Sequence, residues 1–166
     1  MLFALTAVSA AVALLLTGAI AGLFYGYSVS VMPGLDGIAA EHAIPAMRRI
    51  NEKILNPRFF ASFLGTPVAS AVTGGLLLAL GEPAAAVLFF AAAATYVLGA
   101  FVPTAAVNVP MNQALAVATV PADPAEAARL WSEFSGRWTR WNTSRAVFCL
   151  ISLLLAGLGL YVWARP

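Results

Sequence analysis

The sequence predicts an all-α protein, a transmembrane up-down four-helix bundle with interfacial helices in the connectors between spans one and two and between spans three and four. Hydrophobic residues make up 61% of the 166-residue chain and charged residues only 10%, whereas soluble domains carry about 25% charged residues. Four apolar segments are each long enough to cross a bilayer, which takes about 20 helical residues. The charged residues gather in the stretches that separate these segments.

The four spans are predicted at residues 3–32, 58–80, 84–107 and 146–164, in one integral membrane domain that covers residues 1–166. No Lys or Arg precedes the first span, so it lacks the positive region of a signal peptide and is expected to be retained. We expect it to end at the turn signal MPGLDG. Gly18, Gly22 and Gly26 recur every four residues, which predicts close packing against another helix. The alternative is a smooth wall beside a flat ligand, with Tyr25 and Tyr27 nearby.

Prolines mark the second and third spans. Asn56, followed by a proline, predicts the N-cap of the second span. Pro67 predicts a kink inside that span, with a freed carbonyl that needs a hydroxyl or a water as its partner. The third span ends in VPTAAVNVPMN, residues 102–112, where a further proline disrupts the helical hydrogen bonding. Its amides, Asn108 and Asn112, are expected either to cap a broken helix end or to line a pocket.

The two long connectors carry most of the charge. Residues 36–56 are expected to hold one or two short interfacial helices, with Pro45 as a start signal. Residues 121–145 begin with a sequence that resembles a capping box, and this helix is expected to continue into the fourth span. Because a tight turn joins spans two and three, both long connectors lie at the same end of the bundle.

The basic residues predict the orientation of the bundle. Eight of the nine lie in or beside the long connectors, and the ninth, Arg165, follows the fourth span. The positive-inside rule therefore places the connectors in the cytoplasm and both termini outside, in what we expect to be a bacterial inner membrane.

The sequence holds one cysteine, Cys149, and one histidine, His42. A single cysteine forms no intrachain disulfide, and one His with one Cys cannot build a zinc or iron–sulfur site without carboxylates. We therefore expect no metal site and no cofactor, with haem bound through His42 as an alternative. The net charge of +2 gives no reason to expect a nucleic-acid partner.

An aromatic stripe lies before the fourth span, in LWSEFSGRWTRWNTSR. Trp131, Trp138, Trp141 and Arg145 recur at helical spacing on one face, with Asn142 beside them. An interfacial aromatic belt accounts for tryptophans at this depth, and a ligand-lining surface is the alternative. Arg145 stands at the threshold of the apolar run, where it either reaches lipid phosphates or faces inward toward an anion.

The predicted topology gathers the distinctive residues at the connector end: His42, Asn51, Asn56, Asn108, Asn112, Trp138, Trp141, Asn142 and Arg145. A chain with so few polar groups that clusters them at one end predicts a pocket there. Asn51 fits either an amphipathic helix on the membrane surface or a lid. Histidine is the residue type most often used as a general base, so His42 is either a solvent-exposed loop residue or a general base that folds over the pocket.

Five stretches together resemble the anthrone oxygenase-like family of small four-helix membrane proteins: MPGL (32–35), AMRRIN (46–51), NPRF (56–59), NVPMN (108–112) and WSEFSGRWTRWNTSR (131–145). The resemblance covers nearly the whole chain. It implies oxygenation of an anthrone to an anthraquinone with no recognised cofactor. In that reaction a base removes a proton from the acidic methylene, and the resulting carbanion reacts with dioxygen in a dry apolar chamber.

The resemblance also implies roles for the residues of the pocket. The negatively charged oxygen that develops on the substrate is expected to be stabilised by four of them, Asn108, Asn112, Asn142 and Arg145. His42 is expected to be the base. Substrate contacts are expected from Tyr25, Asn51, Asn56 and Trp131 and from the flat rings of Trp138 and Trp141. The expected partners are a hydrophobic aromatic small molecule, dioxygen and membrane lipid, and a homo-oligomer is left open. The alternative function is non-enzymatic binding or transport of a small molecule, a lipid or a quinone.

Overall fold

The computed structural model describes residues 1–165, and their regular structure is helical. The helices are α1 (Leu2–Asp36), α2 (Ala40–Ile54), α3 (Pro57–Ala79), α4 (Pro83–Val117) and α5 (Pro124–Trp163). Of these, α1, α3, α4 and α5 are long and apolar enough to cross a membrane. The prediction of an integral membrane four-helix bundle is confirmed.

The four long helices pack as a ring. Helix α1 packs against α3 and α5, and α4 packs against the same two helices. The end of the bundle away from the connectors is filled by small residues around Phe89, among them Ala10, Ala85 and Ala156. These side chains let the helix backbones approach closely, which favours association where lipid removes the hydrophobic drive.

Helix α2 lies across the other end of the bundle. It packs against α4 and α5 and buries Ala43, Ile44 and Met47 completely. Arg48 donates from Nε to the carbonyl oxygen of Leu115 at 2.8 Å and from its terminal amino group to that of Ala118. These two carbonyls belong to the last turn of α4 and to the residue that follows it, where the carbonyl oxygens lack partners within the helix. Both long connectors therefore meet at one end, as predicted.

Two helices run past the predicted bounds of their spans. Helix α1 continues past residue 32 but ends at Asp36, inside the predicted turn signal MPGLDG, and α4 continues past residue 107 to Val117. Three π-helical turns precede the prolines of these helices, and each ends two residues before a proline: Tyr27–Val31 before Pro33, Val97–Phe101 before Pro103, and Thr104–Asn108 before Pro110. A proline lacks an N–H and its ring clashes with the carbonyl four residues back. The wider turn relieves that clash, so the helix continues where the sequence predicted a break.

The N-termini of α3 and α5 are capped by side chains. Asn56 is the N-cap of α3, as predicted, and its side-chain oxygen accepts hydrogen bonds from the N–H groups of Arg58 and Phe59, each at 3.1 Å. Asp123 caps α5, which runs unbroken into the fourth span as predicted. Pro45 lies inside α2 and does not begin it, because that helix already starts at Ala40.

The freed carbonyl at Pro67 has the hydroxyl partner that the sequence predicted. Pro67 removes the bond to the carbonyl of Phe63, and the hydroxyl of Tyr96 donates to that oxygen at 2.9 Å. Tyr96 is completely buried. This hydrogen bond joins α3 to α4 at the centre of the bundle.

Close packing at the glycines of α1 was a wrong prediction. A Cβ placed on Gly18, Gly22 or Gly26 would meet nothing within 4 Å. The close helix contacts lie elsewhere, for example at Gly99, where a Cβ would overlap Cβ and Cγ of Phe148 on α5. The regular spacing of these glycines therefore did not identify the face of α1 that packs closely against another helix.

Candidate functional site

A cavity of about 320 Å³ opens at the connector end of the bundle, between α1, α2, α4 and α5, with the first turn of α3 also lining it. This volume is in the range of small-molecule sites. Much of its wall is carbon, from side chains such as Leu23, Phe24, Leu55 and Phe59. A few polar side chains interrupt the apolar wall, which is the usual arrangement where an apolar ligand must be oriented.

Arg145 is the most deeply buried charge at this cavity, with only 4% of its surface exposed. Its two terminal amino groups donate to Thr104 Oγ1 at 2.8 Å and to Asn142 Oδ1 at 2.9 Å. Its guanidinium carbon lies 4.3 Å from the centroid of the Phe24 ring. No carboxylate of residues 1–165 lies within 4.0 Å of it, so the charge is held by neutral groups and an aromatic face.

The orientation of Asn142 is fixed from the other side. Its amide nitrogen donates to the carbonyl oxygen of Phe24 at 2.6 Å and to Ser28 Oγ at 2.8 Å. The amide oxygen is therefore turned toward Arg145, where it accepts a hydrogen bond. Asn142 thus links α1 to the guanidinium and holds it in place.

A second set of contacts positions Trp138. The indole N–H donates to Asn112 Oδ1 at 2.8 Å, and the Asn108 amide donates to the carbonyl oxygen of Trp138 at 3.4 Å. The indole ring lies 5.7 Å from the ring of Tyr27, tilted by 45°. Two aromatic side chains from α1 and α5 therefore form one corner of the cavity.

Three buried polar atoms of cavity residues have no hydrogen-bond partner among residues 1–165: Asn51 Nδ2, Asn108 Oδ1 and Arg145 Nε. Buried polar groups are nearly always satisfied, since leaving one without a partner costs about 1–3 kcal/mol. Three of the five such atoms found among residues 1–165 belong to side chains of this one cavity, so unmet hydrogen-bonding capacity is concentrated around it.

The structure brings six of the predicted site residues to this cavity: Asn51, Asn108, Asn112, Trp138, Asn142 and Arg145. They come from α2, α4 and α5, separated by as many as 94 positions in the case of Asn51 and Arg145. The predicted pocket at the connector end therefore exists. Their catalytic and binding roles remain predictions.

Three predicted site residues face away from the cavity into the surroundings. The side chain of His42 is 73% exposed, and its Nε2 lies 3.7 Å from Glu41 Oε1. It lies on the outer face of α2, because Ala43, Ile44 and Met47 occupy the face that packs on the bundle. Tyr25 is 56% exposed on the outside of α1, and Trp141 is 38% exposed on α5. A lipid-facing or interfacial position suits both rings.

Two further predicted residues have structural roles. Asn56 is occupied as the N-cap of α3. Trp131 is buried under α2, where its indole N–H donates to Asp36 Oδ1 at 2.8 Å. Neither side chain lines the cavity, so neither is placed to contact a ligand there.

Sequence reasoning missed Phe24, Thr104 and Glu52, which also line the site, and it named Tyr27 only as a neighbour of a flat ligand beside α1. A signal for Thr104 was present, since it precedes Asn108 and Asn112 at successive four-residue intervals. Tyr27, Thr104 and Asn108 all belong to π-helical turns. Such turns shift the helical register, which is why they frequently occur at functional sites.

The comparison with known families gives one match. The sequence profile described as anthrone oxygenase matches residues 58–155, more than half of the chain. This range contains Thr104, Asn108, Trp138, Asn142 and Arg145, but it begins after the MPGL and AMRRIN stretches that also carried the resemblance. No curated protein and no solved structure matches the chain. By the extent of the profile match, the chain belongs to the anthrone oxygenase family.

Proposed function

We propose that this protein is a cofactor-independent membrane oxygenase that acts on a hydrophobic, anthrone-like aromatic ketone. The observation that carries the proposal is Arg145, a buried guanidinium beside a largely carbon-lined cavity with one N–H left without a partner. A buried cation is costly unless an anion or further acceptors satisfy it. The oxyanion of a bound, deprotonated ketone would be such an anion.

The chemistry of an anthrone suits this site. Its methylene lies between two aromatic rings, so loss of a proton leaves an anion whose charge rests largely on the ketone oxygen. Donors aimed at that oxygen stabilise the anion most strongly where water is excluded. In the proposed site Arg145 faces the oxyanion, Asn142 holds Arg145, and the rings of Tyr27 and Trp138 contact the aromatic faces of the substrate. The electron-rich carbon then reacts with dioxygen.

A membrane location supports the same proposal. A flat aromatic ketone and dioxygen both partition into lipid, and the cavity lies at one end of a bundle of four membrane-spanning helices. We propose that substrate enters from the bilayer at this end.

The test is oxygen uptake by the purified protein on addition of anthrone, with quinone formation followed by absorbance. Arg145→Ala is expected to lower turnover about 100-fold, the usual loss on removal of an oxyanion donor. Arg137→Ala is the matched control, because it removes an exposed arginine two turns earlier on α5 and is expected to retain wild-type turnover. Equal rates in all three proteins would remove Arg145 from the mechanism.

A second candidate function rests on two N–H donors of cavity residues that have no hydrogen-bond partner among residues 1–165. Asn51 Nδ2 and Arg145 Nε would both donate to the carbonyl oxygens of a quinone. A quinone that co-purifies with the protein, with no oxygen uptake on addition of anthrone, would favour a binding or transport protein over an oxygenase.

We also propose that the connector end faces the cytoplasm. Eight of the nine basic residues lie in or beside the long connectors. Ala122→Cys, in the connector before α5, and Ala84→Cys, beside the turn between α3 and α4, are both exposed and report the two ends. In right-side-out vesicles an impermeant maleimide is expected to label only Ala84→Cys. Labelling of Ala122→Cys alone would reverse the orientation.

A further inference from the structure

The proposed reaction needs a group that takes a proton from carbon, and His42 does not line the cavity. Four lining side chains carry a titratable group: Tyr27, Arg48, Glu52 and Arg145. A guanidinium keeps its protons under all ordinary conditions, and a phenol carries its proton at neutral pH. Among the side chains that line the cavity, the carboxylate of Glu52 is therefore the group that can accept a proton.

The position of Glu52 suits proton transfer. On α2, Arg48, Asn51 and Glu52 occupy one helical face and line the same cavity. The Glu52 side chain is 60% exposed, and its Oε2 accepts a hydrogen bond from Arg49 at 2.6 Å. The carboxylate thus lies at the mouth, between the apolar cavity and water, where a proton taken from a ligand can pass to solvent.

We propose that Glu52 is the general base of this site, an inference that rests on the oxygenase function proposed above. In the first step the C–H bond of the methylene breaks and the proton forms an O–H bond with Glu52. The electron pair stays in the aromatic system as an enolate, whose oxygen faces Arg145. Glu52 and Arg145 therefore act on the two ends of one substrate, the acidic carbon and the ketone oxygen.

The oxygen step uses the same carboxyl group. The enolate reduces dioxygen and forms a C–O bond, and the resulting peroxide takes the proton back from Glu52. The carboxylate then removes the second methylene proton while the O–O bond breaks, which forms the new carbonyl. The departing hydroxide takes that proton from Glu52 and leaves as water. In total, CH₂ and O₂ become C=O and H₂O.

The first experiment compares Glu52→Gln with the wild-type protein and with Glu133→Gln. Glu133 is a matched control, since it is an exposed glutamate beside an arginine, Arg129, on α5 and does not line the cavity. Deuterium exchange at the methylene of anthrone is measured without oxygen, and oxygen uptake is measured in air. Glu52→Gln is expected to slow both about 100-fold or more, whereas Glu133→Gln keeps the wild-type rates.

The second experiment separates a base from a structural residue. Glu52→Ala is assayed with and without added acetate, and its affinity for 2-hydroxyanthraquinone is measured. The proposal expects unchanged affinity and an exchange rate that rises with acetate concentration, because a free carboxylate replaces the missing one. A slow variant that acetate does not rescue, or a Glu52→Gln protein with wild-type exchange, would overturn the assignment of the base alone. A wild-type protein that neither exchanges the methylene nor consumes oxygen would overturn the oxygenase function as well.

Discussion

At the scale of single residues, the contacts of Arg145 account for how much of the site is arranged. A guanidinium at 4% exposure would be costly in an apolar bundle. Thr104 and Asn142 satisfy two of its amino groups, and the Phe24 ring covers one side of its plane. These partners are neutral, so the positive charge remains available to a ligand. This arrangement supports our proposal that the site binds an anion.

The hydrogen bond between Tyr96 and Phe63 gives the first residue-level prediction. Tyr96→Phe leaves the Phe63 carbonyl without a partner and is expected to lower the free energy of unfolding by about 1–3 kcal/mol. Denaturation in mixed micelles measures this change. In a Pro67→Ala background the backbone N–H of residue 67 can bond that carbonyl, so Tyr96→Phe should cost much less. An equal cost in both backgrounds would contradict this explanation of the tyrosine.

The positions of Trp141 and Asn142 show what residue patterns could and could not predict. The sequence placed Trp141 in the aromatic stripe and Asn142 beside it, whereas in the structure Asn142 is buried and Trp141 is 38% exposed. A helix of 3.6 residues per turn places position 142 about 20° from position 131 and position 141 about 80° away. The aromatic identity of residue 141 outweighed this geometry in the prediction. Asn142 could have been placed correctly from the period alone.

At the scale of helices, the π-helical turns mark the limit of prediction. Helix existence and the caps at Asn56 and Asp123 followed from local patterns. The continuation of α4 through Pro103 and Pro110 did not, because a proline in sequence predicts a break. Whether a wider turn absorbs the proline depends on how α4 packs against α5, which local sequence does not report. The same turns carry Tyr27, Thr104 and Asn108 to the cavity.

The contact at Gly99 gives the prediction at this scale. A Cβ on Gly99 would overlap the inner atoms of the Phe148 side chain, which cannot move without shifting α5. Gly99→Ala is therefore expected to lower the free energy of unfolding by about 1–3 kcal/mol. Gly22→Ala is the control, since nothing lies within 4 Å of its new Cβ and alanine is the better helix former. A stable Gly99→Ala protein would contradict the close approach of α4 and α5.

At the scale of the whole molecule, the two ends of the bundle differ in composition and in packing. The end away from the connectors is closed by small residues and Phe89. The connector end holds the cavity, with α2 across it and anchored to the last turn of α4 by Arg48. The clustering of polar residues at this end was readable from the sequence. Which of these residues face the cavity could not be predicted from the sequence, because that depends on the rotation of α2 and on the extra residues of the π-helical turns.

We propose above all that the cavity binds an aromatic oxyanion at Arg145. The most direct measurement is a titration of the purified wild-type protein and Arg145→Ala with 2-hydroxyanthraquinone, whose phenolate absorbs at longer wavelength than its phenol. The wild-type protein is expected to bind the phenolate, and Arg145→Ala to bind it about 10–100-fold more weakly, as for the loss of a hydrogen bond to a charged group. Equal affinity in the two proteins, or binding of the neutral phenol by the wild-type protein, would contradict the claim.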